Sequence, residues 1–158
     1  MLQGKSPRES RVEMTELVLP SDANPLGTIF GGKVMQWIDI AAGICASRHA
    51  RRPCVTVLMD ALNFHSPIQV GEVAMLEARV LAAFKTSMEV GVTVHSEDLV
   101  TGVRKLCTSA FLTFVALDEQ RAPMRVPPLV LETDEERAAF AAAQLRREQR
   151  LANSKTEA

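Results

Sequence analysis

The apolar positions of this chain change period once. In Val34-Met35-Gln36-Trp37-Ile38-Asp39-Ile40-Ala41-Ala42-Gly43-Ile44-Cys45 they fall nearly all round a helix. The length of that run, the loop Ser21 to Gly27 before it and the basic cluster Arg48 to Pro53 after it predict one long helix over Gly32 to His49. Such a helix would be about 27 Å long, and its apolar surroundings mark it as a central, buried element. Downstream of Pro53 the pattern alternates. In Met88 to Glu97 the even positions are mostly apolar and the odd ones polar or small, as in a strand with one face buried. Cys54 to Phe64, Val73 to Phe84 and Val103 to Leu117 read as further strands, with turn residues at Pro67 to Gly71 and Asp98 to Gly102. Glu13 to Leu19 reads as a short strand ahead of the helix. Short links between successive strands favour antiparallel pairing, since parallel pairs need long crossovers. The expected fold is therefore α+β, a long central helix wrapped by an antiparallel sheet of about five strands.

Beyond the sheet, Pro123 to Pro128 is an extended, proline-punctuated segment. Thr133-Asp134-Glu135-Glu136 then resembles an N-cap with acids in the first turn of a second helix, Glu135 to about Leu151. Its basic end, Arg146, Arg147 and Arg150, is read as a solvated terminus complementing its own dipole. Met1 to Arg11 and Asn153 to Ala158 are expected to fray. The division expected is a domain over 13–129 and a helical extension over 130–158.

Composition narrows the function classes. With 158 residues and 47% apolar content the chain fits a globular core of useful size. A formal charge of −1 gives no general attraction to nucleic acid or to a membrane surface. Cys45, Cys54 and Cys107 lack paired or metal-ligand spacing and read as reduced core residues of a cytoplasmic protein, with no metal expected. Met1 to Arg8 has no apolar core and Asp39 interrupts the central run, so neither a signal peptide nor a membrane span is expected.

Asp39 is the charged residue that stands out, alone between Lys33 and Arg48 in an apolar helix. A buried carboxylate must be hydrogen-bonded or shifted in pKa, so it serves either chemistry or a salt bridge to a neighbouring element. Gln36 and Gly43, three before and four after it, share its face. Gly27-Thr28-Ile29-Phe30-Gly31-Gly32-Lys33 also meets the start of a phosphate-binding loop, but Val34 stands where a magnesium-binding Ser or Thr is needed, and no alternating helices follow. His49, His65 and His95 form no metal pair, and no G-x-S-x-G elbow is present. His49 and His95 are read as solvated, and Arg79 as a surface ion pair with Glu77 on the same strand face.

Asn24-Pro25-Leu26-Gly27-Thr28-Ile29-Phe30-Gly31-Gly32 leading to Asp39, with Phe64-His65-Ser66-Pro67 and Gly71-Glu72 after it, resembles the hotdog-fold acyl-CoA thioesterases. The closest likeness is to the acyl-CoA hydrolase branch that includes bacterial broad-specificity and mammalian cytosolic enzymes. It extends from about Glu13 to Leu129, through Thr113 to Asp118 and Arg125 to Leu129. The resemblance implies hydrolysis of acyl-CoA to fatty acid and CoA by Asn24 and Asp39 from opposite protomers of a dimer. Asp39 would serve as general base or nucleophile, and Asn24 would orient water or substrate. It implies no cofactor beyond the CoA of the substrate, and a homo-oligomer, a dimer or a trimer of dimers. Thioester hydrolysis also needs donors for the developing oxyanion; the free N–H groups at the helix start, Gly31 and Gly32, are the candidates. Lys85, Thr86, Ser87, Arg104 and Lys105 are candidates for the CoA phosphates, and Met35, Trp37, Met59 and Phe64 for the acyl tunnel. The alternative function is a non-catalytic acyl-CoA-binding regulatory module, and dehydration is a distant alternative because no histidine accompanies Asp39.

Overall fold

In the computed structural model, which describes residues 2–157, the long apolar run forms α1 (Gly31–Ala50). Its two ends are treated differently. At the C-terminus Arg51 takes the left-handed conformation (φ 52°) and its N–H bonds Ser47 O at 2.7 Å. Lys5 Nζ covers the last carbonyls, donating to His49 O at 2.8 Å and to Arg48 O at 3.3 Å. At the N-terminus Phe30 offers no side-chain cap.

The strands are β1 (Val12–Leu17), β2 (Cys54–Phe64), β3 (Val73–Ala83), β4 (Ser87–Glu97) and β5 (Arg104–Ala116). They lie within a residue or two of the expected bounds and form one antiparallel sheet in the order β1-β3-β4-β5-β2. Leu76, Ala78 and Val80 of β3, Val90, Val92 and Val94 of β4, and Leu112 and Phe114 of β5 bury their inner face with Val34, Ile38, Ala41, Ala42 and Cys45 of α1. Each large side chain so buried contributes about 1.5–3 kcal/mol.

The wrapping of α1 is less complete than its sequence suggests. One face meets the sheet; on the other, Met35 (39% exposed), Ile40 (44%) and Ile44 (41%) stay open, with Gln36 and Asp39 among them. The expectation of a buried Asp39 therefore fails for the single protomer, because no element among the described residues covers that face. β2 ends the sheet beside this face and exposes Val55, Val57, Leu58 and Phe64.

The second helix, α2 (Asp134–Glu157), starts at the expected cap: Thr133 Oγ1 accepts from Glu136 N at 3.1 Å. Its arginines are docked rather than solvated, which corrects the reading of that terminus. Arg146 makes a two-pronged contact with Glu89 (3.0 and 2.7 Å), a fully buried carboxylate on the sheet's outer side. Arg146 also stacks 3.7 Å above Phe111, and Arg147 lies 4.6 Å above Phe84. The helix takes hold through charge and guanidinium stacking because α2 buries only Ala143 of its own among the described residues.

The N-terminus is likewise ordered where fraying was expected. Lys5 exchanges backbone bonds with Pro128 and Val130, and Pro7–Glu9 form a turn of 3-10 helix capped by Ser6. At the other end α2 continues through Glu157; Met1 and Ala158 lie outside the described residues. No helix among the described residues is long and apolar enough to cross a membrane.

Candidate active site

Asp39 sits two turns into α1 on its uncovered face. Thr56 Oγ1, from β2, donates to its Oδ1 at 2.6 Å. This bond fixes the carboxylate and leaves Oδ2 open. Thr56 was not singled out in the sequence, where it is one hydroxyl in the apolar start of β2. The signal was its alternation, which turns it inward toward the helix.

Asn24 organises the loop that leads into α1. Its Oδ1 accepts from Leu26 N (2.9 Å) and Thr28 N (3.2 Å), and its Nδ2 donates to Thr28 Oγ1 (2.8 Å). One of the two amide hydrogens is thus used in the loop and one is left over. The loop is tied to the rest through Ile29 N to Ile68 O at 2.8 Å and Phe30 N to Asp22 O at 3.0 Å. Those bonds also dispose of the phosphate-loop reading: Ile29 is buried, and Lys33 faces Asp22 (3.7 Å) and the Trp37 ring (5.7 Å).

Gly31 and Gly32 open the helix. Lys33 N and Val34 N bond back to Phe30 O, whereas the N–H groups of Gly31 and Gly32 have no acceptor among the described residues. A Cβ on Gly31 would come 3.4 Å from the Phe64 ring; one on Gly32 would meet open space. The protomer's own packing therefore does not require glycine at 32. The cleft at this end is lined by Gly31, Val34, Phe64, His65 and Thr108. The groove beside Asp39 is separate, lined by Ile40, Gly43, Ile44, Ser47 and Cys54.

One protomer therefore does not assemble the expected constellation. Asp39 lies about 12 Å along the helix from Gly31, and the free N–H groups point back out of the N-terminus, away from it. Nor do the two phosphate-binding candidates converge. Lys85, Thr86 and Ser87 form the β3–β4 turn, while Arg104 and Lys105 begin β5 beside the far end of β4; the length of β4, about 33 Å, separates them. Arg104 is also paired with Glu97 at 3.3 Å. Of the tunnel candidates Trp37 is buried, Met59 half-buried, and Met35 and Phe64 exposed.

The histidines divide differently from expectation. His49 is fully buried, with Nε2 donating to Pro127 O at 2.7 Å and Nδ1 unpartnered among the described residues. Burial lowers its pKa from the usual value, the carbonyl contact opposing the shift only in part. The expectation of a solvated His49 fails because the segment that covers it is distant in sequence. His65 Nε2 lies 3.3 Å from Ser109 Oγ, with no carboxylate bonded behind it. Arg79 pairs with Glu77 at 2.6 Å, as its strand spacing suggests. The Cys45 thiol is pushed by burial up to about 11 and is inert at neutral pH.

Comparisons with known proteins agree with this fold. A sequence model described as "Thioesterase superfamily" matches residues 26–103. An uncharacterized acyl-CoA thioester hydrolase of Bacillus subtilis (strain 168) is 47% identical over 82% of this chain and 75% of its own length. The chain also matches longer mammalian acetyl-coenzyme A thioesterases, of which it spans about a quarter (26%). The crystal structure of an apo-hexameric acyl-CoA thioesterase is 44% identical with a TM-score of 0.93, covering 97% of this chain and 98% of that one. The acyl-CoA hydrolase of Staphylococcus aureus, solved with butyryl-CoA, CoA and CoA disulfide, is 36% identical with a TM-score of 0.89, covering 96% and 93%. That protein has also been solved with single alanine substitutions at an asparagine, an aspartate and a threonine. The three are spaced as Asn24, Asp39 and Thr56 are here, 15 and then 17 residues apart. With a five-stranded antiparallel sheet over one long helix and an added C-terminal helix, the chain belongs to the hotdog-fold thioesterase superfamily, among the acyl-CoA thioester hydrolases.

Proposed function

We propose that this chain hydrolyses acyl-CoA to a free fatty acid and CoA at a site shared by two protomers. The observation that carries the composite reading is the divergence within one protomer. The uncapped N–H groups of Gly31 and Gly32 face outward at one end, while Asp39, held by Thr56, lies two turns further in on an uncovered face. A second copy related by a two-fold axis brings one protomer's helix start to the other's Asp39. Asn24, in the loop that enters the helix start, arrives with it.

Asp39 then takes a proton from water, and the oxygen attacks the thioester carbonyl. The oxyanion accepts from the backbone N–H groups of the opposing Gly31 and Gly32, with the positive end of the helix dipole behind them. Collapse breaks the carbon–sulfur bond and expels the CoA thiolate, which recovers the proton from Asp39. The spare amide hydrogen of Asn24 holds the water or the carbonyl oxygen. Thr56 is a positioning residue that keeps one carboxylate oxygen occupied. The homo-oligomer extends to a trimer of dimers, as hexameric relatives suggest. Free, largely buried thiols suit a reducing cytoplasm.

The test is complementation, reading CoA release from short, medium and long acyl-CoAs. Asp39→Ala and Asn24→Ala, each alone, should lose activity on the order of 100-fold or more. Co-assembled in equal amounts, they should recover about a quarter of wild-type activity, because half of a random dimer population carries one intact site. Mixed oligomers that stay inactive would place both residues in one protomer. Acyl-CoA binding without turnover by the native protein would instead identify a regulatory module.

A further inference from the structure

The groove beside Asp39 does not stop at the acid. It continues along α1 past Gly43 and Ser47 to Arg48 and Arg51, where the helix ends, with Cys54 of β2 beside it. From position 39 to position 51 the chain advances about 18 Å. An extended pantetheine arm, comparable to about five residues of extended chain, spans about 17 Å from its sulfur to the first phosphate.

That end of the molecule is basic. Arg48, Arg51 and Arg52 are exposed, and among the described residues none of the three forms an ion pair. Lys85, in the β3–β4 turn, bounds the same corner. Ala116 N donates to Thr86 O (3.1 Å) and Leu117 N to Pro53 O (2.9 Å), so the end of β5 separates that turn from the start of β2 by two strand spacings, about 10 Å. Asp118, next to Leu117, is turned onto its own loop, accepting from Gln120 N and Ala122 N at 2.9 Å each. Arg51 is also out of place as a residue type. It follows the last turn of α1 at φ 52° and ψ 38°, a left-handed conformation that glycine adopts freely and a residue with a Cβ does not. Capping does not account for it, since Lys5 already covers the last carbonyls of the helix.

We infer that Arg51 binds the phosphates of CoA and that the pantetheine arm lies in the groove between Arg51 and Asp39. The inference rests on the function proposed above and gives the substrate a direction. The opposite direction leads to the helix start, whose free N–H groups that function assigns to the oxyanion and whose cleft is walled by Ile29, Val34, Phe64 and Ile68. Arg104 and Lys105 lie at the other end of the sheet, and Arg104 is held by Glu97. A guanidinium meets phosphate oxygens through paired charge-assisted hydrogen bonds. So far from the thioester, such a contact is equally strong in the ground state and the transition state, so it lowers KM and leaves kcat alone.

Replacing Arg51 with glycine tests this with little risk to the fold, because glycine suits the left-handed backbone. Arg51→Gly should melt near the wild-type temperature and raise KM for acyl-CoA about tenfold, with kcat nearly unchanged. On the same acyl group carried by N-acetylcysteamine, which has the thioester and no phosphate, kcat/KM of variant and wild type should coincide. Arg51→Lys, which retains the charge, should recover most of the loss. Calorimetry with CoA alone makes the comparison without turnover: Arg51→Gly should weaken binding about tenfold, and the difference should shrink at high salt. Unchanged KM and CoA affinity in Arg51→Gly, or an equal loss on both thioesters, overturns the assignment. Wild-type protein that binds CoA through Arg51 and hydrolyses no acyl-CoA keeps this site and loses the proposed function; hydrolysis of acyl-CoA that is indifferent to Arg51→Gly does the reverse.

Discussion

Asp39 is held by one hydrogen bond, which decides which carboxylate oxygen is free to act. Thr56 Oγ1 occupies Oδ1, so on the proposed function the acid meets its substrate through the other oxygen. Thr56→Val should lower kcat by about tenfold while leaving KM nearly unchanged, and Thr56→Ser should restore most of it, as steady-state CoA release will report. A buried group elsewhere governs how stability depends on pH. His49 is neutral in the folded chain because burial lowers its pKa from the ordinary 6.5. As pH falls below that value the unfolded chain binds a proton that the native chain refuses, so stability is lost on acidification. Tm measured from pH 8 to pH 5 should drop more in the wild type than in His49→Gln, the two curves separating below about pH 6.5. Parallel curves would mean that this imidazole titrates alike in both states.

At the scale of elements the two helices are attached by opposite means. α1 buries an apolar face against the inner side of the sheet, while α2 rests on the outer side through Arg146, Arg147 and Arg150. The Glu89 carboxylate under Arg146 is fully buried, so removing the guanidinium leaves a charge without its main partner. Arg146→Ala should cost about 3 kcal/mol in urea unfolding, and Glu89→Gln in the same background should recover part of that loss. β2 is irregular beside this site: its register against β5 slips between Asp60 and Asn63, and Ala61 takes φ 48°. Such a bulge strengthens the local twist of an edge strand.

On the proposed shared site, the whole molecule is half of a working unit. The exposed apolar face of α1 and the open edge of β2 lie side by side, and both flank Asp39. A monomer would leave that face in water and would offer the thioester no oxyanion donors near the acid. Specific activity should therefore fall on dilution through the dimer dissociation range, in step with the loss of dimer seen by light scattering or mass photometry. Full activity persisting in monomers would contradict a shared site.

The sequence by itself determined the elements and their antiparallel sense, because the change from helical to alternating period, the short links and the turn residues are local signals; the pairing of β2 with β5 and of β1 with β3 was decided in three dimensions. It also marked Asp39 and the glycine pair, since a lone acid in an apolar helix and glycines at a helix start are conspicuous without any contact being known, whereas Asn24 was marked only by the resemblance to the hotdog-fold thioesterases. Tertiary structure decided everything that depends on distant segments meeting. Thr56 bonds to Asp39 across 17 residues, Pro127 covers His49 across 78, and Arg146 reaches Glu89 across 57. The same is true of Asp39's exposure. An apolar run reveals that a helix must be covered on all sides, but whether its own sheet or a second copy does the covering depends on how much surface one small sheet can wrap.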